Sequence, residues 1–145
     1  MPALNDLAAE AFDAGRTYSD VVHFVHIYVV EPHPEFPDPS PYTGVVWESW
    51  YSRPQPRTYE GRVALAMELV PDILGNQILL IDELTPKTRD NPLWCTYGPA
   101  PNSAYLISRD GRLVAIQDWV DVAAMKKEIN KLLGGGAPPG AEDPG

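Results

Sequence analysis

The run Phe24-Val25-His26-Ile27-Tyr28-Val29-Val30 passes without a break into Glu31-Pro32-His33-Pro34. A stretch of β-branched and aromatic residues with little alternation describes a strand covered on both faces, the kind a parallel sheet buries under helices. The prolines that follow cannot donate to a ladder or sit inside a helix, so the chain must leave the sheet at Glu31. Further prolines at Pro37, Pro39, Pro41, Pro54 and Pro56 keep residues 32–56 a long, semi-rigid loop. Loops of that length in compact domains tend to be functional.

Helical spacing brackets this strand. Leu4, Leu7, Ala8, Ala11 and Phe12 share one apolar helical face and predict a helix over Leu4 to Arg16, stopping near Gly15 and Thr17. Val63, Leu65, Ala66, Leu69 and Val70 predict a second helix over Glu60 to Leu74, with Pro71 disturbing its last turn. A short apolar strand, Gln77 to Ile81, ends in Asp82-Glu83, and Thr85 to Pro101 reads as another Pro-punctuated loop. Asp110-Gly111 is a hairpin turn signal between strands at Ala104 to Ser108 and Arg112 to Gln117. Val120 to Leu133 closes the domain as an amphipathic helix facing inward through Val122, Met125, Ile129, Leu132 and Leu133. Residues 134–145 contain only Gly, Pro, Ala, Glu and Asp and predict a disordered tail, leaving one α/β domain over residues 1–133.

Charge and cysteine usage narrow the function. With a net charge of −9 and a pI near 4.6, the chain lacks the clustered cations that a phosphate backbone requires, so nucleic acid is not an expected partner. No segment reaches the roughly eighteen apolar residues of a membrane span. The first residues have no basic n-region or continuous apolar h-region, and the cytoplasm is the expected compartment. Cys95 is the single cysteine, which removes a Cys-x-x-Cys redox pair and any multi-cysteine zinc site. No cofactor or metal is expected, since His33 has no second histidine at ligand spacing.

The order helix, strand, helix, strand, hairpin, helix is that of a thioredoxin-like domain without its first core strand, or of some other small α/β layer. The strand followed by Glu31, His33 and Pro34 resembles the signature of the iodothyronine deiodinase family, a selenocysteine or cysteine branch of that fold. Other short matches follow in colinear order: Tyr18, Phe24 to Tyr28, Tyr59-Glu60-Gly61-Arg62, Asp82, Tyr97-Gly98 and Pro101 to Tyr105. Glu35-Phe36-Pro37-Asp38 replaces the acidic-Gly-Trp element of the family, and the loops around Pro37 to Arg57 and Thr85 to Thr96 are longer. Met1-Pro2 stands where the family has selenocysteine or cysteine followed by proline.

The resemblance implies a redoxin-lineage oxidoreductase acting on a small aromatic, halogenated or thiol substrate. Such chemistry needs a thiolate or selenolate with a depressed pKa at a helix N-terminus. Methionine cannot form that anion, so the chain as written is expected not to turn over through position 1. The alternative is a degenerate, non-catalytic protein that binds a small ligand or a partner protein. Glu31 and His33 are expected to border the substrate and relay a proton, or else to cap the strand and bond the loop. Cys95 is the remaining candidate nucleophile, or an inert packing residue. Pro101 is expected as the cis-proline beside the site. Trp47, Trp50, Trp94 and Tyr97, with Tyr42 and Tyr51, are expected to line a pocket for a flat ligand or to clamp the loops. His26, in mid-strand, reads as a satisfied core histidine.

The missing strand would be central, between the strands at Phe24 to Val30 and Ala104 to Ser108. Either those two strands pair directly, or a slot stays open for a strand from a partner, from another copy of the chain, or from residues upstream of Met1. The open slot is the expectation.

Overall fold

A computed structural model describes residues 2–46, 53–73, 75–87, 90–98 and 100–134. Helix α1 (Pro2–Ala9) ends well before the Arg16 expected from its apolar spacing. The chain instead turns into a hairpin of β1 (Ala11–Asp13) and β2 (Arg16–Thr17), with Gly15 at φ 87° in the turn. The Arg16 guanidinium pairs with the Asp13 carboxylate across that turn. Phe12 reaches the core from the strand and meets Tyr18 edge-on at 5.4 Å. Tyr18 is buried in a single 3-10 turn, where its hydroxyl donates to Asn130 Oδ1 at 2.7 Å.

Strand β3 (Val25–Tyr28) runs parallel to β4 (Ile78–Ile81), in register from Val25 opposite Ile78 to Tyr28 opposite Ile81. The strand is not covered on both faces as its composition predicts. Val25 is 47% exposed and Ile78 and Leu80 are 42% and 43% exposed, so one apolar face of this pair stays open. Helix α2 (Tyr59–Met67) starts where Thr58 Oγ1 accepts from the Gly61 N–H at 3.1 Å, and it buries Arg62 and Ala66. It stops short of the expected end because Pro71 diverts the chain into a 3-10 turn at Val70–Asp72.

The second Pro-punctuated stretch is not all loop, since it contains helix α3 (Pro92–Tyr97). Strands β5 (Ala104–Ile107) and β6 (Leu113–Gln117) form the hairpin that Asp110-Gly111 predicts, with Gly111 at φ 82°. Helix α4 (Val122–Leu133) is capped by Asp121, whose carboxylate accepts from the Ala124 N–H at 3.0 Å, and it ends at Gly134 with φ 66°. Its buried stripe is Met125 and Ile129, whereas Leu132, expected inward, is 40% exposed. These two residues join Leu7, Tyr18 and Leu106 in the main core, on which Phe24 and Ala104 also pack.

Among the described residues the chain is thus mixed α/β, with its strands in three two-stranded ladders rather than one sheet. No ladder among them joins β3 to β5. The Phe24 and Tyr28 carbonyls accept from the Ile78 and Asp82 amides, so the peptide groups of Val25 and Ile27 point to the edge opposite β4. Among the described residues, both β3 and β5 therefore present an edge without a ladder partner while leaning on a common core. No described helix is long and apolar enough to cross a membrane.

Candidate functional site

The parallel register brings the C-terminal ends of β3 and β4 side by side, the end at which open α/β sheets bind ligands. Three residues beyond β3, Glu31 is half-buried and its carboxylate accepts a hydrogen bond from the Tyr28 hydroxyl. Its backbone is held as well. The Glu31 N–H donates to Gln55 Oε1 and the Gln55 carboxamide donates to the Glu31 carbonyl, each at 3.0 Å. Burial pushes the Tyr28 phenol well above its ordinary pKa, and the bond to Glu31 adds to the effect. The phenol therefore stays protonated and is a permanent donor to the carboxylate.

Behind this pair lies a buried polar cluster. Arg62 is 1% exposed, and its Nη1 donates to the carbonyls of Asp82 at 3.2 Å and Glu83 at 2.6 Å. Burial draws its pKa below the usual guanidinium value, and the Asp82 charge opposes that shift. Asp82, also buried, turns its carboxylate to α3, accepting from the Leu93 and Trp94 amides at 2.9 Å each. The cap of α3 thus comes from the end of β4, because the side-chain oxygen of Asn91 is already taken by the Thr85 N–H and hydroxyl. Arg62 Nε and Asn91 Nδ2 are buried without a hydrogen-bond partner among the described residues.

Through Asp82, helix α3 and its Cys95 are tied to the same end of β3–β4 as Glu31. Cys95 is exposed. Trp94 stacks edge-on against Tyr42, centroids 5.6 Å apart, and Tyr97 meets Tyr105 of β5 at 5.1 Å. A Cβ on Gly98 would lie 1.9 Å from Trp94 Cδ1, so only glycine lets the indole fold back over the end of α3. Tyr42 is half-buried, and burial pushes its phenol up to about 12. These aromatic contacts clamp loop to helix and helix to strand.

His33 is half-buried two residues beyond Glu31, inside the proline run. Pro101 is exposed and leads into β5. It is not the expected cis-proline: among the described residues the cis X-Pro bond is Phe36–Pro37. Trp47, Trp50 and Tyr51 lie outside the described residues, as does Met1. Among the described residues no group of three or more His, Cys, Asp or Glu side chains is placed to hold a metal ion.

His26 is engaged in a polar chain. Asn5 Nδ2 donates to the Asp72 carbonyl at 2.7 Å, so Asn5 Oδ1 must be the acceptor for Gln77 Nε2 at 2.8 Å. Gln77 Oε1 is then left to accept from His26 Nε2 at 2.6 Å, which fixes the ring as the Nε2–H form. Sequence reasoning missed Tyr28 and Gln55 as parts of the site, because a tyrosine in a strand and a glutamine between prolines carry no motif. It passed over Arg62 and Asp82 as fold markers, although an Asp at the end of an apolar strand and an Arg entering a helix of apolar spacing are places where a polar side chain is drawn into the interior. No protein-family model, curated protein or solved structure matches the chain.

Proposed function

We propose that this chain is a thioredoxin-like, deiodinase-like domain of redoxin lineage that binds a small aromatic, halogenated or thiol compound and, with methionine at position 1, does not turn it over. The observation that carries the reading is the carboxylate of Glu31, fixed by Tyr28 just beyond the C-terminal end of a parallel strand pair. Replacing a halogen on an aromatic ring by hydrogen requires a soft nucleophile for the halogen and a proton for the carbon. Glu31, with His33 two residues on, supplies the proton-handling half of that chemistry. What supports the reading is the chain order of a parallel β3–β4 pair, a β5–β6 hairpin and a closing α4. Among the described residues β3 and β5 each keep an edge without a ladder partner, which supports a reading with a central strand missing between them.

The test is an assay of reductive dehalogenation and thiol peroxidase activity with a dithiol as reductant. The chain as written is expected to do no better than free cysteine. A cysteine at position 1, behind an added strand-forming segment, is expected to produce turnover, which Glu31→Gln then lowers by on the order of 100-fold or more. A robust native activity abolished by Cys95→Ser would transfer the nucleophile to α3 and overturn this reading. Calorimetric titration with a halogenated phenol tests binding directly. Loss of a hydrogen bond to a charged group costs about 1.5–3 kcal/mol, so Glu31→Gln should weaken binding roughly tenfold or more.

A further inference from the structure

We propose that Gln55 is a positioning residue whose carboxamide stands in for a neighbouring strand and holds Glu31 where Tyr28 bonds its carboxylate. The inference rests on the reading of Glu31 as the proton-handling carboxylate of the site. The pattern of bonds is specific. Glu31 exchanges both of its backbone groups with one partner, donating its N–H to Gln55 Oε1 and accepting from Gln55 Nε2 at its carbonyl, both at 3.0 Å. Two residues directly opposite in an antiparallel ladder exchange the same pair of bonds. Here the second strand is reduced to a single primary amide.

The local sequence explains why a side chain takes this part. Gln55 lies between Pro54 and Pro56, neither of which has a backbone N–H to offer. The proline after Gln55 also biases its own backbone to an extended conformation, fixing the point from which the side chain leaves. Glu31 faces the same restriction from Pro32. Two X-Pro dipeptides, 24 residues apart, thus meet through the one side chain able to satisfy both groups of the Glu31 peptide. Below this contact Pro56 and Val30 are buried, so the clasp is anchored from the core side. Beyond it the Glu35 N–H donates to the Arg53 carbonyl at 2.9 Å, continuing the pairing by one rung into the loop.

With both backbone groups of Glu31 held, the Cα–Cβ direction is fixed and fewer rotamers are open to the side chain, among them the one whose carboxylate accepts from the Tyr28 hydroxyl. Without Gln55, the Glu31 backbone keeps only the restriction from Pro32, and its carboxylate can turn to water. Gln55 touches no reacting group in this arrangement and acts through Glu31.

The experiment reads the Tyr28–Glu31 bond itself. Tyrosine is labelled with 13C at Cζ in the full chain, and the Tyr28 resonance is assigned with Tyr28→Phe. Its displacement on losing the carboxylate is calibrated with Glu31→Gln. Gln55→Met, which keeps the length and bulk of the side chain but neither bond, is expected to shift the Tyr28 resonance upfield, toward its position in Glu31→Gln. Gln55→Glu, which keeps the acceptor and loses the donor, is expected to shift it the same way by less. A folded Gln55→Met protein with the Tyr28 resonance unmoved overturns the proposal. If Gln55→Met does not fold, Gln55→Glu decides in its place, and an unmoved resonance there overturns the proposal equally. The outcome is separable from the functional reading: a Glu31→Gln protein that binds halogenated phenol as well as the parent refutes the ligand site and leaves the Gln55 shift to be judged alone.

Discussion

Tyr28 is the residue at which the protonation chemistry of the site becomes measurable as stability. Its phenol is held above the ordinary value of 10.0 in the native state, first by burial and then by the bond to Glu31. In the unfolded chain the proton is released near that ordinary value. The stabilisation is therefore complete below pH 10.0 and is lost as the pH rises from there toward the native pKa. Tyr42, pushed up to about 12 by burial, acts in the same direction. Urea unfolding compared at about pH 9 and about pH 11 should show the parent losing stability more steeply than Tyr28→Phe. Equal slopes would mean that Tyr28 is not buried against a carboxylate. Glu31 was legible in the sequence because it follows a strand and precedes a proline. Its two holders were not, since one is a neighbour across a turn and the other is brought back by a loop whose path no periodicity encodes.

Among the elements, α3 shows what a sequence pattern leaves out. Six residues complete fewer than two turns, so no apolar stripe could announce the helix, and its stretch was expected to be loop. What stabilises it is remote: the Asp82 carboxylate at the end of β4, which also compensates the buried charge of Arg62. Asp82→Ala leaves two helix amides unsatisfied and removes the negative charge near Arg62, and should cost about 1–3 kcal/mol. Asp82→Asn keeps one acceptor oxygen and should cost less. Urea midpoints give the order of the two variants, and hydrogen exchange at Leu93 and Trp94 shows whether α3 is the part released. A fall in stability without faster exchange there would place the role of Asp82 elsewhere. The longer elements were readable for the converse reason. The β5–β6 hairpin carries its turn in Asp110-Gly111, and α4 presents its core residues at helical spacing. The error over α1 came from an apolar spacing that Phe12 satisfies equally well from a strand.

At the scale of the whole molecule, β3–β4 and β5–β6 rest on one core without joining among the described residues. A two-stranded ladder alone is marginal in water, so β3–β4 and β5–β6 depend on the helices and on the Leu7, Tyr18, Leu106, Met125 and Ile129 cluster beneath. Amide exchange should expose the difference between the two edges of β3. Val25 and Ile27, whose peptides face away from β4, should exchange faster than His26 and Tyr28. Fusing a strand-forming segment ahead of position 1 should then slow exchange at those two amides if it docks on this edge. Protection of Val25 and Ile27 equal to that of their neighbours in the unmodified chain would show the edge to be already covered.

The clasp at the base of the proline-rich loop also separates two things that usually vary together. Since Glu31 is gripped by Gln55 and the next rung by Arg53, no hydrogen bond among the described residues runs from the loop's tip at Pro41 to Gly44 to Glu31. Closure entropy grows so slowly that doubling a loop costs only about 0.6 kcal/mol. What an insertion disturbs is the turn itself: a few Gly-Ser residues placed after Thr43 open the bonds from the Gly44 N–H to the Ser40 carbonyl and from the Val45 N–H to Thr43 Oγ1, and should lower the melting temperature while leaving the Tyr28 resonance where it was. A chain built this way can vary what its loop presents while Glu31 stays in place.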